Sequence, residues 1–257
     1  MTRSAAHPRA SMALALVGSF ALSLASLAPA AAQDDAKPDA NAAAAAISAL
    51  SVTPLRVELP GGTSTETVQV QNGTDTPMAV QIRLFAWSQQ NGQDAYVPSS
   101  DLLVSPSIVS IPAKQTQLVR LVRKAATSQG EKRFRLVIDQ LPDPAKARPG
   151  VAQTRVRFAI PVFVDSDKAA PAAFTWRLTN GNLELANTGG AAARVVQIEV
   201  KGADGRIVPV EQNSLRYVHG ASTIAWPIGK GCSLGKVRIT AEIDGRTVDA
   251  EPLAACG

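Results

Sequence analysis

The 257-residue chain is poor in the residues on which most enzymes and metal sites depend. It has two histidines, His7 and His219, and His7 lies in a segment that we expect to be cleaved off. One remaining histidine cannot build a multi-histidine metal site and makes Ser-His-Asp or Cys-His catalysis a poor explanation. Two cysteines, Cys232 and Cys256, are too few for a zinc ribbon or an iron–sulfur cluster. We therefore predict that the chain is not an enzyme, with no catalytic residue, metal or cofactor.

Long apolar runs are also scarce, and the one at the N-terminus is typical of an export signal. Arg3 and Arg9 precede an apolar run over 12–28, and three alanines at 30–32 follow it. The alternative is a membrane anchor, but the run falls short of the roughly 20 residues that span a bilayer. We predict a cleaved signal peptide at 1–32, followed by a flexible, Ala/Asp-rich mature N-terminus at 33–47.

The positive charge of the chain is concentrated in one region. Between Lys114 and Arg157 the sequence has 11 Lys and Arg residues against three acids, a local net charge of +8. Export argues against a nucleic-acid partner, because nucleic acid is not an expected ligand outside the cytoplasm. Two interpretations stay open for this region: a solvated strand face, or a basic groove for an anionic group or the end of a polypeptide.

From residue 48 onward the sequence shows short segments with period-two alternation, separated by turn residues. In the first, Leu55, Val57 and Leu59 are expected to share one face. About seven such segments before residue 166 are typical of an immunoglobulin-like sandwich. The predicted strands are 55–59, 65–71, 79–87, 108–111, 117–123, 133–139 and 155–164.

After a short polar segment at 165–171, which we interpret as a hinge, the alternation begins again. The predicted strands of this second part are 174–178, 183–186, 194–200, 207–210, 222–226, 236–243 and a segment near 248. We therefore predict an all-β protein with two immunoglobulin-like β-sandwich domains, at 48–166 and 170–257, joined by a short hinge. The tryptophans at 87, 176 and 226 are expected in the cores, and His219 in a turn.

The two cysteines are expected to stabilise the second domain. In an oxidising compartment a Cys232–Cys256 disulfide would close a loop of about 25 residues and contribute on the order of 3 kcal/mol by the chain-entropy model. We predict this pairing rather than two free thiols.

Five sequence segments stand out by their content and their order along the chain. The first three are LSVTPLRVEL, VQIRLFAWSQQNG and SIVSIPAKQTQLVRLVR, and the last two are RFRLVIDQLP and TRVRFAIPVFV. Together they resemble the PapD-like periplasmic chaperones of chaperone–usher pilus assembly, and the ending IPVF is most similar to the archaic branch of that family.

The resemblance implies a function and its partners. Such chaperones act in the periplasm, where they bind pilus subunits that lack a strand, complete them by donor-strand complementation and deliver them to an outer-membrane usher. The resemblance implies no small-molecule substrate. The alternative function is an exported immunoglobulin-like adhesin or structural pilus component, but such a subunit would usually have one, incomplete, domain.

The donor strand is expected near residues 155–161. Val156, Phe158 and Ile160 alternate on one face, and an apolar strand edge without a partner would promote aggregation. We therefore expect Val156 and Phe158 to insert into the subunit and to be only loosely covered in the free protein. The alternative, that this face packs on its own core, carries more weight for Ile160.

The resemblance also implies an anchor for the terminal carboxylate of the subunit. In the family this anchor is an arginine of the first strand, here Arg56, and a lysine of the last strand. A guanidinium suits that role because it is planar and bidentate. Pro161 stands at the lysine position, so we expect Arg155 or Arg157 to substitute. Because Pro161 has no N–H, we also expect strand pairing to end or bulge there.

Overall fold

The structure is a computed structural model that describes residues 50–124, 129–146, 150, 154–211, 215–229 and 231–255. The predicted signal peptide, the predicted flexible segment at 33–47 and Cys256 lie outside these residues. In the described part of the chain, no helix is long and apolar enough to cross a membrane.

Two packed sheets form a first β-sandwich. One sheet has the order β1-β3-β8-β6, and the other has the order β2-β10-β9-β4-β5, with β7 paired to β4. The strands are β1 (Leu50–Thr53), β2 (Val57–Leu59), β3 (Thr65–Asn72), β4 (Met78–Gln90), β5 (Gln93–Pro98), β6 (Leu102–Ser105), β7 (Ile108–Ile111), β8 (Thr116–Arg123), β9 (Lys132–Gln140) and β10 (Arg157–Val164).

The apolar residues at alternate positions of the strands form the core of this sandwich. On β9, Phe134, Leu136 and Ile138 are buried, and they pack with Val80 of β4 and Val162 of β10. Successive side chains of a strand point to opposite faces, so one alternating segment supplies one buried face. Each predicted strand of the first domain overlaps a strand of the structure, the first of them only over Val57–Leu59, whereas β1, β5 and β6 were not predicted. Residues of β5 are nearly all exposed, so their sequence carries no alternating signal.

Only Val57–Leu59 of the first predicted strand, 55–59, form a strand, and β1 precedes it in the other sheet. Val57 and Leu59 are buried on β2, but Leu55 is 63% exposed in the connection from β1. The prediction that Leu55 shares their face is therefore wrong. Pro54 follows β1 directly and has no N–H for a sheet ladder, so the chain leaves one sheet there and enters the other.

A second, smaller sandwich has its own core. One of its sheets has the order β16-β12-β11-β19, and the other has the order β14-β13-β17-β18, with β15 paired to β13. Trp176 and Trp226 are buried in this core, as predicted. The strands are β11 (Phe174–Leu178), β12 (Asn182–Asn187), β13 (Ala193–Gly202), β14 (Ile207–Val208), β15 (Arg216–Val218), β16 (Ser222–Pro227), β17 (Val237–Ile243), β18 (Arg246–Ala250) and β19 (Leu253–Ala254).

The segment between the sandwiches begins with a buried ion pair. Asp165 is 1% exposed, and Arg123 at the end of β8 donates from Nη1 to both of its carboxylate oxygens, at 2.7 and 2.8 Å. Asp165 also donates its backbone N–H to the carbonyl oxygen of Leu59 at 2.9 Å. The start of the predicted hinge is thus held to the first sandwich. The expected domain bounds, 48–166 and 170–257, stay predictions.

We expect Asp165→Asn to lower the free energy of unfolding by about 3–5 kcal/mol, because it leaves the Arg123 guanidinium buried without its counter-charge. Urea unfolding followed by tryptophan fluorescence measures this change. The control is Asp75→Asn, which removes an exposed ion pair with Lys114 at 3.1 Å and should change stability by about 0.5 kcal/mol or less. Equal effects of the two variants would contradict the structural role of the buried pair.

Candidate functional site

Strand β10 has a strand neighbour on one side along its whole length but on the other side over only part of it. It pairs antiparallel with β9 from Arg157 to Val164. On its other side it pairs with β2, in parallel, only from Val162 to Val164. Among the described residues, no strand lies beside residues 157–161 on that side. We call this stretch the open edge.

The hydrogen-bond pattern shows which backbone groups face the open edge. The N–H of Gln140 donates to the carbonyl oxygen of Val156 at 3.0 Å. Bonding alternates along an antiparallel ladder, so even-numbered residues of β10 bond to β9. The odd-numbered residues Arg157 and Ala159 therefore direct their N–H and C=O groups to the open edge. Pro161 is also odd-numbered, so its missing N–H costs the β9 ladder nothing, and the pairing continues without the bulge that we expected.

Arg56 stands at the end of the open edge. The register places Val57 beside Val162, so Arg56 lies beside Pro161, where the strand next to β10 begins. Its guanidinium carbon lies 4.3 Å from the ring centre of Phe163, and its Nε donates to Glu58 Oε1 at 2.7 Å. The side chain remains 33% exposed. Burial acts to lower the pKa of Arg56, but the hydrogen bond and charge of Glu58 outweigh it and raise the pKa, so the group stays charged.

A second guanidinium, that of Arg135, lies near the same place. Arg135 is directly opposite Pro161 on β9. Its guanidinium carbon lies 3.7 Å from the ring centre of Trp87 and 5.6 Å from that of Tyr217. The Nε is buried without a hydrogen-bond partner, and Nη1 makes only a 3.4 Å bond to the carbonyl oxygen of Ala159. Sequence reasoning missed Arg135 because the strand register, which the sequence does not contain, brings it beside Pro161.

Tyr217 of the second sandwich lies near both guanidinium groups. The guanidinium carbon of Arg56 lies 5.9 Å from its ring centre, close to the 5.6 Å of Arg135. Both distances lie within the range of cation–π attraction, about 6 Å. We call Arg56 and Arg135 the arginine pair. Because Tyr217 lies beside both of them, both sandwiches contribute to this cationic site.

The other arginines proposed as substitutes lie elsewhere. Arg157 is four residues from Pro161, about 13 Å along the strand at roughly 3.3 Å per residue. It binds Asp139, which also accepts from Arg83 at 2.5 Å. Arg155 lines the same pocket as these three residues. The prediction that Arg155 or Arg157 takes the place of the missing lysine beside Arg56 is therefore wrong.

The apolar face of β10 packs on its own domain. Ile160 is 2% exposed within the first core, so it is not a surface residue for a subunit. Val156 and Phe158 are half-buried and pack against the same core. The prediction that Phe158 is only loosely covered in the free protein is wrong, because the alternation that aligns it with Val156 also aligns it with the buried Ile160 and Val162.

A third apolar cluster joins the two sandwiches. It consists of Trp87 and Phe163 from the first sandwich and Ala192 and Tyr217 from the second. The rings of Trp87 and Tyr217 meet edge to face at 5.4 Å between centres. Trp87 is thus buried as predicted, but between the sandwiches rather than inside one.

Polar side chains hold the backbone of the second sandwich around this cluster. Gln89 donates from Nε2 to the carbonyl oxygen of Tyr217 at 2.7 Å and accepts the N–H of His219 at 2.9 Å. Glu131 accepts the N–H of Ala192 at 2.9 Å. Since Gln89 and Glu131 both belong to the first sandwich, these bonds fix Tyr217 relative to the arginine pair.

His219 stands at the start of a turn, as predicted, where its carbonyl oxygen accepts the N–H of Ser222 at 3.3 Å, and its side chain is part of this interface. It is 1% exposed, its ring lies edge-on to Trp87 at 4.2 Å, and neither ring nitrogen has a hydrogen-bond partner. Burial, reinforced by the positive charge of Arg133, lowers the pKa of His219 to about 3. Among the residues that the structure describes, no three His, Cys, Asp or Glu side chains form a group that could hold a metal ion.

Only one cysteine of the predicted disulfide, Cys232, lies among the described residues. Cys232 lies in a short 3-10 helix at Gly231–Leu234 and is not a free thiol, but Cys256 lies outside the described residues. The pairing of Cys232 with Cys256 stays a prediction.

Residues 49–169 match the protein family described as "Pili and flagellar-assembly chaperone, PapD N-terminal domain". That span contains the open edge, Arg56 and Arg135. The match covers the whole first sandwich. The resemblance inferred from the five sequence segments is therefore confirmed.

Known chaperones resemble this chain over both sandwiches. The probable fimbrial chaperone EcpB of Klebsiella pneumoniae is 26% identical over 168 residues, which are 62% of this chain and 73% of that protein. The structure of the CsuC–CsuE chaperone–tip adhesion subunit complex of Acinetobacter baumannii contains a chain with a TM-score of 0.63 at 22% identity, covering 80% of this chain and 98% of the other. The Escherichia coli chaperone DraB gives a TM-score of 0.57 at 21% identity, covering 80% and 96%.

These comparisons decide two of the predictions. The predicted all-β fold of two immunoglobulin-like sandwiches is confirmed. The chain resembles fimbrial chaperones, which are not enzymes, so the prediction that it is not an enzyme is confirmed as well.

In this PapD-type domain we expect Phe158→Asp to lower the melting temperature of the free protein by several degrees, because it places a charge against an apolar core without a partner. Differential scanning calorimetry measures the shift. Ala159→Asp serves as the control, since Ala159 is exposed on the other face of the same strand. A melting temperature for Phe158→Asp equal to that of the control would show that Phe158 is not part of the core.

The interface of the PapD-type domain with the second sandwich should make stability depend on pH. An unfolded histidine ionises near pH 6.5, whereas folded His219 has a pKa of about 3. Between these values the unfolded state binds the extra proton, so the stabilisation present above pH 6.5 is lost as the pH falls towards 3. In urea unfolding between pH 6.5 and 4, wild-type stability should therefore fall more steeply than that of His219→Leu.

Comparing wild type with His219→Leu removes the opposite pH dependence that Glu131 contributes to stability. Burial raises the pKa of Glu131, so its stabilisation is lost as the pH rises through that raised pKa. Glu131 is present in both proteins and contributes equally to both. Equal slopes for wild type and His219→Leu would contradict the role of His219.

Proposed function

We propose that this protein is a periplasmic chaperone that binds pilus subunits by lending them β10 and then delivers them to an outer-membrane usher. The observation that carries the proposal is an open edge on β10 that ends at a pair of arginines. A sheet edge with unpaired N–H and C=O groups is a template for another strand. Recognition by strand addition obtains its affinity from such main-chain bonds.

The position of β2 determines how a guest strand would lie. Because β2 continues the line of the open edge and runs parallel to β10, a guest strand beside residues 157–161 ends where Arg56 begins. If the guest also runs parallel to β10, its C-terminal end is the end that reaches Arg56. A free carboxylate there would meet a planar, bidentate donor.

Arg135 completes this anchor in place of the family's lysine. It lies opposite Pro161, the position at which the resemblance implies that lysine, and its buried Nε lacks a partner. A carboxylate between Arg56 and Arg135 would supply the acceptor that the Nε lacks. The two guanidinium groups would then bind the guest through charge-assisted hydrogen bonds, which are stronger than neutral ones.

The half-buried side chains at the start of the edge support the same arrangement. Val156 and Phe158 are half-buried and pack against the first core. A guest strand on the open edge would extend this sheet and would cover the part of each side chain that is still exposed. We propose that Val156 and Phe158 contact the core of the chaperone and the core of the bound subunit at the same time.

Export and the choice of branch belong to the same proposal. The signal peptide at 1–32 would direct the chain to the periplasm. The Csu system of the Acinetobacter complex is described as archaic, and its likeness to this fold supports the archaic assignment drawn from the IPVF ending. An adhesin or structural pilus component fits less well, because such a subunit receives a strand and the open edge here offers one.

We expect Arg56→Ala and Arg135→Ala each to weaken subunit capture by about 2–5 kcal/mol, the loss of a partly buried charge-assisted contact. Co-expression with the pilus subunits of the same genome, followed by co-purification and quantification of the bound subunit, tests this. Arg120→Ala is the matched control, since Arg120 is an exposed arginine of β8 on the other sheet.

Both test variants should remain folded. Each loses stacking on aromatic rings, worth about 1 kcal/mol, together with one polar contact: the partly exposed ion pair with Glu58 for Arg56, and the 3.4 Å bond to the Ala159 carbonyl oxygen for Arg135. Wild-type amounts of bound subunit with Arg56→Ala would refute the anchor. If Arg135→Ala binds as much subunit as the wild type while Arg56→Ala does not, Arg56 is the only cation of the anchor.

A further inference from the structure

A basic pocket lies at the opposite end of the open edge from the arginine pair. It has a volume of about 410 Å³, and its lining includes Arg83, Asp139, Arg155, Val156 and Arg157. Arg157 is the first residue of β10, so the pocket adjoins the point at which a guest strand would start to pair. We call it the entry pocket.

The entry pocket has more positive charge than its single acid balances. Three guanidinium groups face one carboxylate, which leaves a formal charge of +2. Asp139 is only 12% exposed, whereas Arg157 and Arg83 are 66% and 42% exposed. Burial acts to raise the pKa of Asp139, but hydrogen bonds from Arg83 and Arg157 lower it, so the carboxylate stays ionised and holds both guanidinium groups in place. Their remaining N–H donors stay accessible to a ligand.

The register relates this pocket to the guest strand. Arg157 is directly opposite Asp139, and Arg83 is opposite Val137, the next residue on the same face of β9. Side chains of a guest on this face would recur at every second residue. Arg157 lies about 13 Å from the level of the arginine pair at roughly 3.3 Å per residue. A guest residue about three or four positions before the terminal one would therefore lie beside it.

We propose that the entry pocket binds an acidic side chain of the guest strand, a few residues before its terminal carboxylate. This inference rests on the proposed function, since it needs a strand on the open edge. A carboxylate there would accept hydrogen bonds from guanidinium groups that Asp139 has already oriented. The pocket thus selects among subunits, whereas the arginine pair recognises the carboxylate that every chain terminus has.

The competing explanation is that these arginines only keep two open edges from pairing with each other. Charged side chains on an edge strand have that effect whatever the guest is. This competing explanation requires repulsion between like charges on two chaperones, but it requires no preference for an acidic guest. Binding therefore separates the two explanations.

The test uses synthetic peptides of about twelve residues that alternate Val and Thr along the strand period. Each has fluorescein at its N-terminus and a free C-terminal carboxylate. A single Asp is moved through the last eight positions, and each Asp peptide has a matched Asn peptide. Binding to the mature chaperone is measured by fluorescence anisotropy.

We expect Asp to bind about tenfold more tightly than Asn at one position, the effect of one charge-assisted hydrogen bond. The double variant Arg155→Gln/Arg157→Gln should lose this preference, and Arg120→Gln should keep it. Both arginines of the double variant are exposed, and Asp139 retains Arg83, so the variant should fold; its melting temperature checks this.

The outcomes separate this inference from the proposed function. If Arg56→Ala weakens every peptide while Asp and Asn peptides bind alike, the strand-lending function stands and the acidic subsite is refuted. A preference for Asp that survives in the double variant also refutes it. If no peptide binds the wild type, the proposed function and the subsite both fail. Self-association that appears only in the double variant, without any Asp preference, favours edge protection instead.

Discussion

The unequal pairing of β10 is the constraint on which the candidate site depends. One side of this strand is bonded to β9 throughout, while β2 covers the other side only from Val162 onward. Because β2 is three residues long and begins just after Arg56, the same short strand leaves the edge open and places a cation at its end. Pro161 is tolerated in the strand because its missing N–H faces the open side.

The second sandwich contributes to the site through Tyr217. Its ring lies within 6 Å of both Arg56 and Arg135, and Gln89 and Glu131 of the first sandwich hold the backbone around it. Cation–π attraction to this ring favours the charged form of both side chains. His219, buried in the same interface, stays neutral because burial and the positive charge of Arg133 lower its pKa.

Individual residues show where sequence reasoning succeeded and where it failed. The alternating segments gave accurate strands, as at Phe174–Leu178, because a one-sided buried strand repeats every two residues. The same alternation could not say which sheet a strand joins, so Leu55 was placed with Val57 although the chain changes sheets at Pro54. It also could not show whether Phe158 faces the core or a partner, since both surfaces are apolar.

The sequence by itself determined the all-β class, the two sandwiches and the likeness to PapD-type chaperones, and it singled out Arg56 as a candidate anchor, because alternation, turn residues and family segments are local features. Only the tertiary structure showed that a second candidate cation, Arg135, lies at the same place. Arg135 and Pro161 are 26 positions apart in the chain and become neighbours through the register of β9 and β10. Register is set by packing of whole strands, and a shift of one residue would turn Arg135 into the core.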